Sequence, residues 1–407
     1  MTRFWNLVLT SCVVLSASEP PVHGADEPPK ATSPATVTNV AVIYWQAFSR
    51  MPKLTNEQSK AIAEAIASVS APISDEVAEV ISNSEGALQE LQRAQVDAPC
   101  DWHLDVDQGP GMLLLHADKS RFISRVALLR ARQRFSAGET DAAVSDVLSV
   151  YKMGRDCSAH PGVILTLVNG QIEQLASEVL AANLPLLNKE QLDKLTTSLR
   201  ERPKASSLAS AFREEGRSYT LWLTRMVDFE DARLNDPKAG YELIEAINRS
   251  AGIDLDRDVI PDLDGESSIV ARESLESLSV ADVRESIELL KADCMELEKI
   301  AEMPHDERTA RVSQYFDTLS EAGKFKNNND ARRYFSVALL SLGQRGLIAQ
   351  EQMDVRRQLF EQAIHIQRDG VDVKPINGRK VEYKKTDTGF ELKCPSNGDT
   401  IVIKVGR

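Results

Sequence analysis

The sequence predicts a mainly α-helical fold, an α-α array of antiparallel helical hairpins followed by a small C-terminal β module. Apolar residues recur at spacings of three and four along most of the chain, as amphipathic helices require. Aromatic residues make up only 5% of the sequence, and this scarcity favours aliphatic helix packing over a β-rich sandwich. Only residues 368–407 change to short alternating segments separated by turn residues, a pattern typical of strands.

Capping residues predict where several helices begin. Thr55 is followed three residues later by Gln58, Ser74 precedes two acids, and Ser279 is followed by Asp282, each an arrangement that satisfies free backbone N–H groups at a helix start. The small residues Ser136-Ala137-Gly138 predict a tight turn between two helices, at about 112–135 and 139–157. These two helices should therefore pack antiparallel.

The helix that follows Ser279 carries a narrow apolar seam. Its apolar residues, among them Cys294, step by four and three, which predicts coiled-coil-like pairing with another helix. The candidate partners are the segments 308–319, 331–342 and 353–366. Cys294 lies on this seam and is predicted to be a buried free thiol.

Changes in composition divide the chain into successive regions. We predict a signal peptide (1–24), a flexible linker (25–36), an N-terminal helical domain (37–251), an acidic linker loop (252–268), a C-terminal helical region (269–367) and a small β-strand module (368–407).

The N-terminus predicts export. Arg3 precedes an apolar run over residues 4–17, which has signal-peptide length, and small residues allow cleavage ahead of Ala25. The alternative is a lipid anchor on Cys12, which ends a lipobox-like Leu9-Thr10-Ser11-Cys12. No later apolar segment is long enough to span a membrane. We expect a protein of the periplasm or cell envelope whose net charge of -13 excludes general nucleic-acid binding.

Export makes disulfides possible among the cysteines of the mature chain. Antiparallel packing around Gly138 would return Cys157 to the start of the first helix, where the loop that holds Cys100 can fold back. We therefore predict a Cys100–Cys157 disulfide, which would close a long loop. A bond from either residue to Cys394 is the competing possibility.

No nucleophile elbow, Walker loop, dinucleotide-binding motif or zinc-protease motif is present. Two acidic or histidine-bearing loops are weak metal candidates, because their ligand spacing matches no established site. The plainer interpretation of both is a solvated loop, and no cofactor is predicted. The candidate ligands are Asp101, His103 and His116 in one loop and Asp254, Asp256 and Asp258 in the other.

Two further groups of charges have a functional and a structural interpretation. A basic band on the helix after residue 112 suits an acidic or phosphate-bearing partner, but Glu139, Asp141, Asp146 and the acids of the Trp102 loop are expected to neutralise it internally. Glu214 and Glu215 could act as an acid–base pair, although adjacent helical residues point about 100° apart, which argues against a shared proton. The basic band comprises Lys119, Arg121, Arg125, Arg130, Arg132 and Arg134.

One segment carries a resemblance to a known family. Residues 128–143, with Phe135-Ser136-Ala137-Gly138 followed by Ala142-Ala143, look like the turn between the two helices of a tetratricopeptide unit. More broadly, Tyr44-Trp45-Gln46-Ala47-Phe48, the Cys100-Asp101-Trp102 loop and Gly389-Phe390-Glu391-Leu392 resemble a group of uncharacterised exported α-helical bacterial proteins. The resemblance implies fold and location, and it implies no activity.

The sequence therefore favours an extracytoplasmic, non-catalytic helical protein that acts as a protein-interaction or scaffold module. The alternative is an envelope hydrolase or metal-dependent enzyme with its site around residues 100–121, and a calcium-stabilised scaffold is a third possibility. The position of His116 relative to Asp101 and His103 discriminates between them, because a catalytic or metal site requires the three to converge. The oligomeric state is left open.

Overall fold

The computed structural model describes residues 37–201, 205–228, 237–253, 265–340 and 342–406. The predicted signal peptide and the linker that follows it lie outside these residues, and so does most of the acidic loop. The helices are α1 (Val40–Ser49), α2 (Asn56–Ala67), α3 (Asp75–Asn83), α4 (Glu85–Arg93), α5 (Leu115–Ser136), α6 (Thr140–Cys157), α7 (Val163–Asn183), α8 (Lys189–Arg200), α9 (Leu208–Asp228), α10 (Pro237–Ala251), α11 (Gly265–Glu276), α12 (Val280–Glu302), α13 (His305–Ala322), α14 (Asn328–Ala331), α15 (Tyr334–Leu340) and α16 (Gly343–Asp369). The strands are β1 (Glu382–Lys385), β2 (Phe390–Ser396) and β3 (Asp399–Val405). The predicted fold class, mainly α with a small C-terminal β module, is confirmed.

The predicted caps are at the starts of their helices. Thr55 and Gln58 form a reciprocal capping box at α2, and Ser279 forms one with Asp282 at α12. The hydroxyl of Ser74 accepts a hydrogen bond from the backbone N–H of Val77. The helix that Ser74 caps ends at Ser84, whose hydroxyl donates back to the carbonyl of Val80 at 2.7 Å. Such a bond competes with the helical backbone and bends it.

The hairpin of α5 and α6 forms as predicted. Gly138 has a φ of +80°, in the left-handed region, and the next N–H, of Glu139, donates to the carbonyl of Arg134 at 2.9 Å. This arrangement satisfies carbonyls at the end of α5 and reverses the chain. The two helices then pack along each other, and α7 packs against both.

The partner predicted for α12 is wrong. Its main neighbour is α9, which lies before it in the chain, although α13 and α15 also touch it. Gly216 of α9 faces Cys294 so closely that a Cβ at position 216 would lie 2.7 Å from the Cys294 Cβ. Cys294 is a buried free thiol, as predicted. Small side chains at this contact thus let the backbones of α9 and α12 approach each other.

The three strands form an antiparallel sheet in the order β1-β2-β3. Asn397 and Gly398 both have positive φ, as a two-residue hairpin turn between β2 and β3 requires. The sheet packs one face on α16, and β3 also touches α7. Leu392 and Ile403, paired across β2 and β3, are buried on that face.

The predicted regions share their packing surfaces. Contacts group Thr38–Arg407 into one compact unit, in which α9 from the predicted N-terminal domain lies along α12 from the predicted C-terminal region. The predicted boundaries between regions are not tested by these contacts and stay a prediction.

Candidate functional site around the Trp102 loop

The loop that contains Trp102 is tied to the start of α1. The backbone N–H of Val40 donates to the carbonyl of Pro99 at 2.9 Å. The Asn39 side chain donates to the carbonyl of Asp101 at 2.8 Å and accepts from its N–H at 2.9 Å. The same Asn39 oxygen caps α1 through the N–H of Ala41. One side chain therefore fixes both the helix start and the loop.

Trp102 is the centre of an aromatic cluster, which we define as Tyr44, Trp45, Phe48, Trp102 and His116. The Trp102 ring stacks on His116 at 4.6 Å between centroids, on Tyr44 at 5.7 Å and on Phe48 at 6.2 Å. Trp45 meets it edge-on at 5.9 Å. Stacked and edge-to-face contacts of this kind stabilise a cluster beyond the area that it buries.

Asp156, near the end of α6, anchors the polar atoms of the cluster. Its backbone carbonyl accepts from the Trp102 indole N–H at 2.6 Å, and its carboxylate accepts from the Tyr44 hydroxyl at 2.6 Å. Lys152 forms an ion pair with the same carboxylate at 2.6 Å. The polar atoms of Tyr44 and Trp102 are thereby satisfied at the place where their rings are buried.

His116 is enclosed by this cluster and is held neutral. His116 is 1% exposed. Burial lowers its pKa to about 4, although a backbone hydrogen bond with Cys157 acts in the opposite direction. His160 lowers the pKa further. The Nε2 atom is buried and makes no hydrogen bond within the described part of the chain. At neutral pH the ring is therefore an uncharged stacking partner of Trp102.

The candidate metal ligands of this loop do not converge. His103 is 79% exposed at the side chain and lies 3.3 Å from the Asp101 carboxylate, which is itself 67% exposed, while His116 lies beneath Trp102. Over the described ranges, no three His, Cys, Asp or Glu side chains are grouped as metal ligands. Asp254, Asp256 and Asp258 lie outside the described residues.

Cys100 and Cys157 carry thiols where the sequence predicted a disulfide. Cys157 is buried and Cys100 is partly buried. Burial raises the pKa of the Cys157 thiol to about 12. Burial also raises the pKa of Cys100, and the nearby Asp156 and Cys157 raise it further. The two sulfurs therefore belong to one neighbourhood, as the hairpin topology implied, but the bond itself stays a prediction.

Arg130 and Arg134, two members of the basic band of α5, are neutralised by acids inside the fold. Arg130 is buried and bonds the equally buried Asp146 through two nitrogens, at 2.6 and 3.1 Å. Arg134 donates to Oδ2 of Asp146 at 2.9 Å, the oxygen that also accepts from Arg130 Nε, and Glu85 accepts from Arg130 at 2.8 Å. Arg132 donates to backbone carbonyls of the segment after α2 and of its last turn. Asp141, which was also expected to neutralise the band, accepts a hydrogen bond from the Gln191 side chain instead.

Glu214 and Glu215 diverge, as their helical spacing predicted. Glu214 pairs with Arg217 at 2.9 Å. Glu215 turns inward and accepts from the backbone N–H of Val163, the first residue of α7, at 2.8 Å. Burial raises the pKa of Glu215 to about 7 despite that bond. Its role is to cap a helix 52 residues away in the chain, which no local sequence signal reveals.

Sequence reasoning also missed the buried Glu351 of α16. Its carboxylate accepts from Arg379 at 2.5 Å, from Asn397 at 2.5 Å and from Ser396 at 3.2 Å. His305 lies 3.1 Å from the same carboxylate. These partners come from the C-terminal module and from the start of α13. Glu351 therefore fastens the sheet to the helices, which is a structural role.

No family model matches the chain. No curated protein and no solved structure matches it either. Among the described residues, no helix combines the length and the apolar character that crossing a membrane requires.

The surface beside the aromatic cluster exposes apolar side chains. Trp45 is 41% exposed although its ring contacts Trp102 and Phe48, and Val42, one turn earlier on α1, is 55% exposed. Leu113 and Leu115, at the start of α5, are 71% and 57% exposed. The cluster therefore presents a supported aromatic side chain to solvent.

Proposed function

We propose that this chain is an exported helical protein that acts through protein–protein contacts, with Val42 and Trp45 at the centre of the contact surface. The observation that carries the proposal is the exposed Trp45, whose ring is held by Trp102 and Phe48. An aromatic side chain that is already ordered loses little conformational freedom on binding, and tryptophan is enriched among the residues that dominate interface energies.

The chemistry of the loop supports contact over catalysis. His116, the imidazole closest to the centre of the cluster, is neutral and enclosed. A general acid or base must reach its substrate within hydrogen-bond distance, and the Nε2 atom of His116 is buried. His116, one of the three candidate residues of this region, is thus occupied in stacking on Trp102.

The charge around the surface indicates the kind of partner. The carboxylates of Asp101 and Asp118 are 67% and 59% exposed near the cluster, and the whole chain carries a net charge of -13. Complementary charge steers association and selects partners. The partner that fits is a protein with an apolar contact patch and basic side chains at its rim.

Site-specific photo-crosslinking tests this proposal. A photoreactive phenylalanine analogue replaces Trp45 in the full chain, which is expressed in its natural host and irradiated. The matched control places the same analogue at Met295, which is 52% exposed on α12. We expect one defined protein adduct from position 45, none from position 295, and loss of the adduct when Val42→Asp is added. The absence of an adduct at position 45, or the same adducts at both positions, would contradict the proposal.

Export is a part of the proposal that can fail separately. It rests on Arg3, the apolar run over residues 4–17 and the small residues before Ala25. N-terminal sequencing of protein from the cell envelope should give a start near Ala25. A lipid-modified start at Cys12, or an uncut chain in the cytosolic fraction, would contradict it.

A further inference from the structure

A cleft far from the Trp102 loop is enclosed by α12, α13 and the residue that precedes α15. Its volume is about 240 Å³, well above the ~30 Å³ that one water molecule occupies in the liquid. Most of its lining residues carry a polar group, and their apolar parts also face the cleft. The lining residues that matter here are Asp293, Glu296, Arg311, Gln314, Tyr315 and Arg333.

The charged groups of the cleft are already paired with one another. Arg333 donates from one nitrogen to both oxygens of Asp293, at 3.0 Å each. Arg311 donates to Glu296 at 2.5 Å and to the side-chain oxygen of Gln314 at 2.9 Å. Two cations and two anions give these walls no net charge. Each carboxylate and guanidinium nevertheless keeps hydrogen-bonding capacity beyond its one partner.

Tyr315 provides a polar atom whose hydrogen-bonding capacity the protein uses only in part. Tyr315 is 9% exposed, and its buried hydroxyl oxygen makes no well-formed hydrogen bond among the described residues. Burial raises the pKa of Tyr315, and the charge of the adjacent Asp293 carboxylate and a weak hydrogen bond to it raise the pKa further. A buried hydroxyl without a good partner is unfavourable unless another molecule supplies one.

We propose that this cleft binds a neutral polyhydroxylated molecule of monosaccharide size. Each hydroxyl of such a ligand can accept from a guanidinium and donate to a carboxylate, so it uses the remaining capacity of both ion pairs. The Tyr315 hydroxyl gains a partner, and Leu319, which also lines the cleft, offers an apolar contact for the C–H face of a sugar ring.

A charged ligand fits this cleft less well. It would have to displace Arg333 from Asp293 or Arg311 from Glu296, and the Asp293 side chain is only 9% exposed. Breaking the Arg333–Asp293 pair leaves the buried Asp293 carboxylate without its cation, which is unfavourable. The pairing of the walls therefore selects against ions and in favour of a neutral hydrogen-bonding ligand.

Ligand-observed NMR and titration calorimetry on the full chain test the proposal. The probes are neutral monosaccharides (glucose, galactose, mannose and N-acetylglucosamine) and, as charged comparators, arginine and glutamate. We expect at least one neutral sugar to bind with a dissociation constant of about 10 mM or lower. That sugar should bind more tightly than either charged comparator. Tyr315→Phe, which removes only the hydroxyl, should weaken that sugar by about tenfold while the melting temperature stays constant or rises.

The matched control is Tyr151→Phe. Tyr151 is a buried tyrosine of α6 whose hydroxyl already bonds Ser177 at 2.7 Å, so its loss should lower the melting temperature and leave sugar affinity unchanged. Lack of binding by every neutral sugar, equal binding by wild type and Tyr315→Phe, or tighter binding of a charged comparator would each overturn the proposal. None of these outcomes bears on the surface around Trp45, so the two proposals fail independently.

Discussion

Two pairs of helices close the core in different ways. The α5–α6 hairpin joins neighbours in sequence through Gly138, and its seam contains the buried ion network of Arg130, Arg134 and Asp146. The α9–α12 pair joins segments separated by two intervening helices, and its seam is closed by the small residues Gly216 and Cys294. The packing of α5 on α6 therefore depends on a buried ion pair. The packing of α9 on α12 depends on small side chains that let the two backbones come close.

The largest effect is expected from Asp146→Ala in the α5–α6 pair. The substitution leaves the buried Arg130 guanidinium with only Glu85 as an ionic partner, and an uncompensated buried charge costs about 3–5 kcal/mol. Urea denaturation should show the loss in the free energy of unfolding. Asp141→Ala on the same helix, which removes only contacts to Gln191, is the control. Equal small losses in both variants would show that the network is not what holds the hairpin.

Gly216→Ala probes the second pair. The new Cβ would lie 2.7 Å from the Cys294 Cβ, so α9 and α12 must separate, at a cost of about 1–3 kcal/mol. Gly86→Ala on α4 is the matched control, because its Cβ would approach only the Arg50 side chain at 3.8 Å. That control should be neutral or slightly stabilising, since alanine is the better helix former. If thermal denaturation ranks the two variants in the opposite order, close approach at Gly216 is not required.

Glu215 makes the α9–α12 side of the molecule sensitive to pH. Its pKa is about 7 in the fold against the ordinary 4.5, so the folded state holds this proton more tightly than the unfolded chain. Its stabilising contribution is complete below pH 4.5 and is lost as the pH rises through 7. The loss is about 2 kcal/mol after allowance for partial exposure.

Glu215→Gln keeps an oxygen for the Val163 N–H and removes the titration. In wild type, the titration of Glu215 makes the free energy of unfolding fall between about pH 5 and 8. In the variant this fall should be smaller, because Glu215 no longer titrates. Glu214→Gln, on the exposed neighbour paired with Arg217, should keep the wild-type profile. Chemical denaturation across that pH range makes the comparison, and identical profiles for all three proteins would refute the assignment.

The smallest effect is expected from Cys294→Ala. Removing the buried sulfur opens a small cavity opposite Gly216, which costs about 1 kcal/mol. The buried thiol should also react slowly with a thiol reagent in the native protein. Labelling of Cys294 as fast as in urea would mean that the α9–α12 seam opens readily.

The same comparison explains how much of the fold the sequence could predict. The α5–α6 hairpin follows from local signals, because Gly138 must adopt positive φ and a short turn leaves only antiparallel packing. The apolar seam of α12 was visible, but its partner was not. A heptad-like stripe specifies that a helix pairs and not which helix it pairs with, and α9 meets it through a glycine that apolar periodicity does not count.

The candidate site was predictable in part for similar reasons. The position of Trp102 at the end of a hairpin and the internal neutralisation of Arg130 follow from chain direction and charge. The burial of His116 could not be predicted, because polarity placed it with the exposed Asp101 and His103. Glu215 and Glu351 were missed as anchors, since their partners lie 28 to 52 residues away in sequence and no local pattern links them.

Asp156 has a consequence for the way in which the chain folds as it is synthesised. It bonds Tyr44 across 112 residues, so α1 can reach its final place only after the whole α6 segment has left the ribosome. Trp102 and His116 are synthesised earlier, but the Asp156 carbonyl that holds the Trp102 indole emerges only with α6. The Tyr44 hydroxyl on α1 therefore waits for its Asp156 acceptor while 112 of the 407 residues are added, more than a quarter of the synthesis.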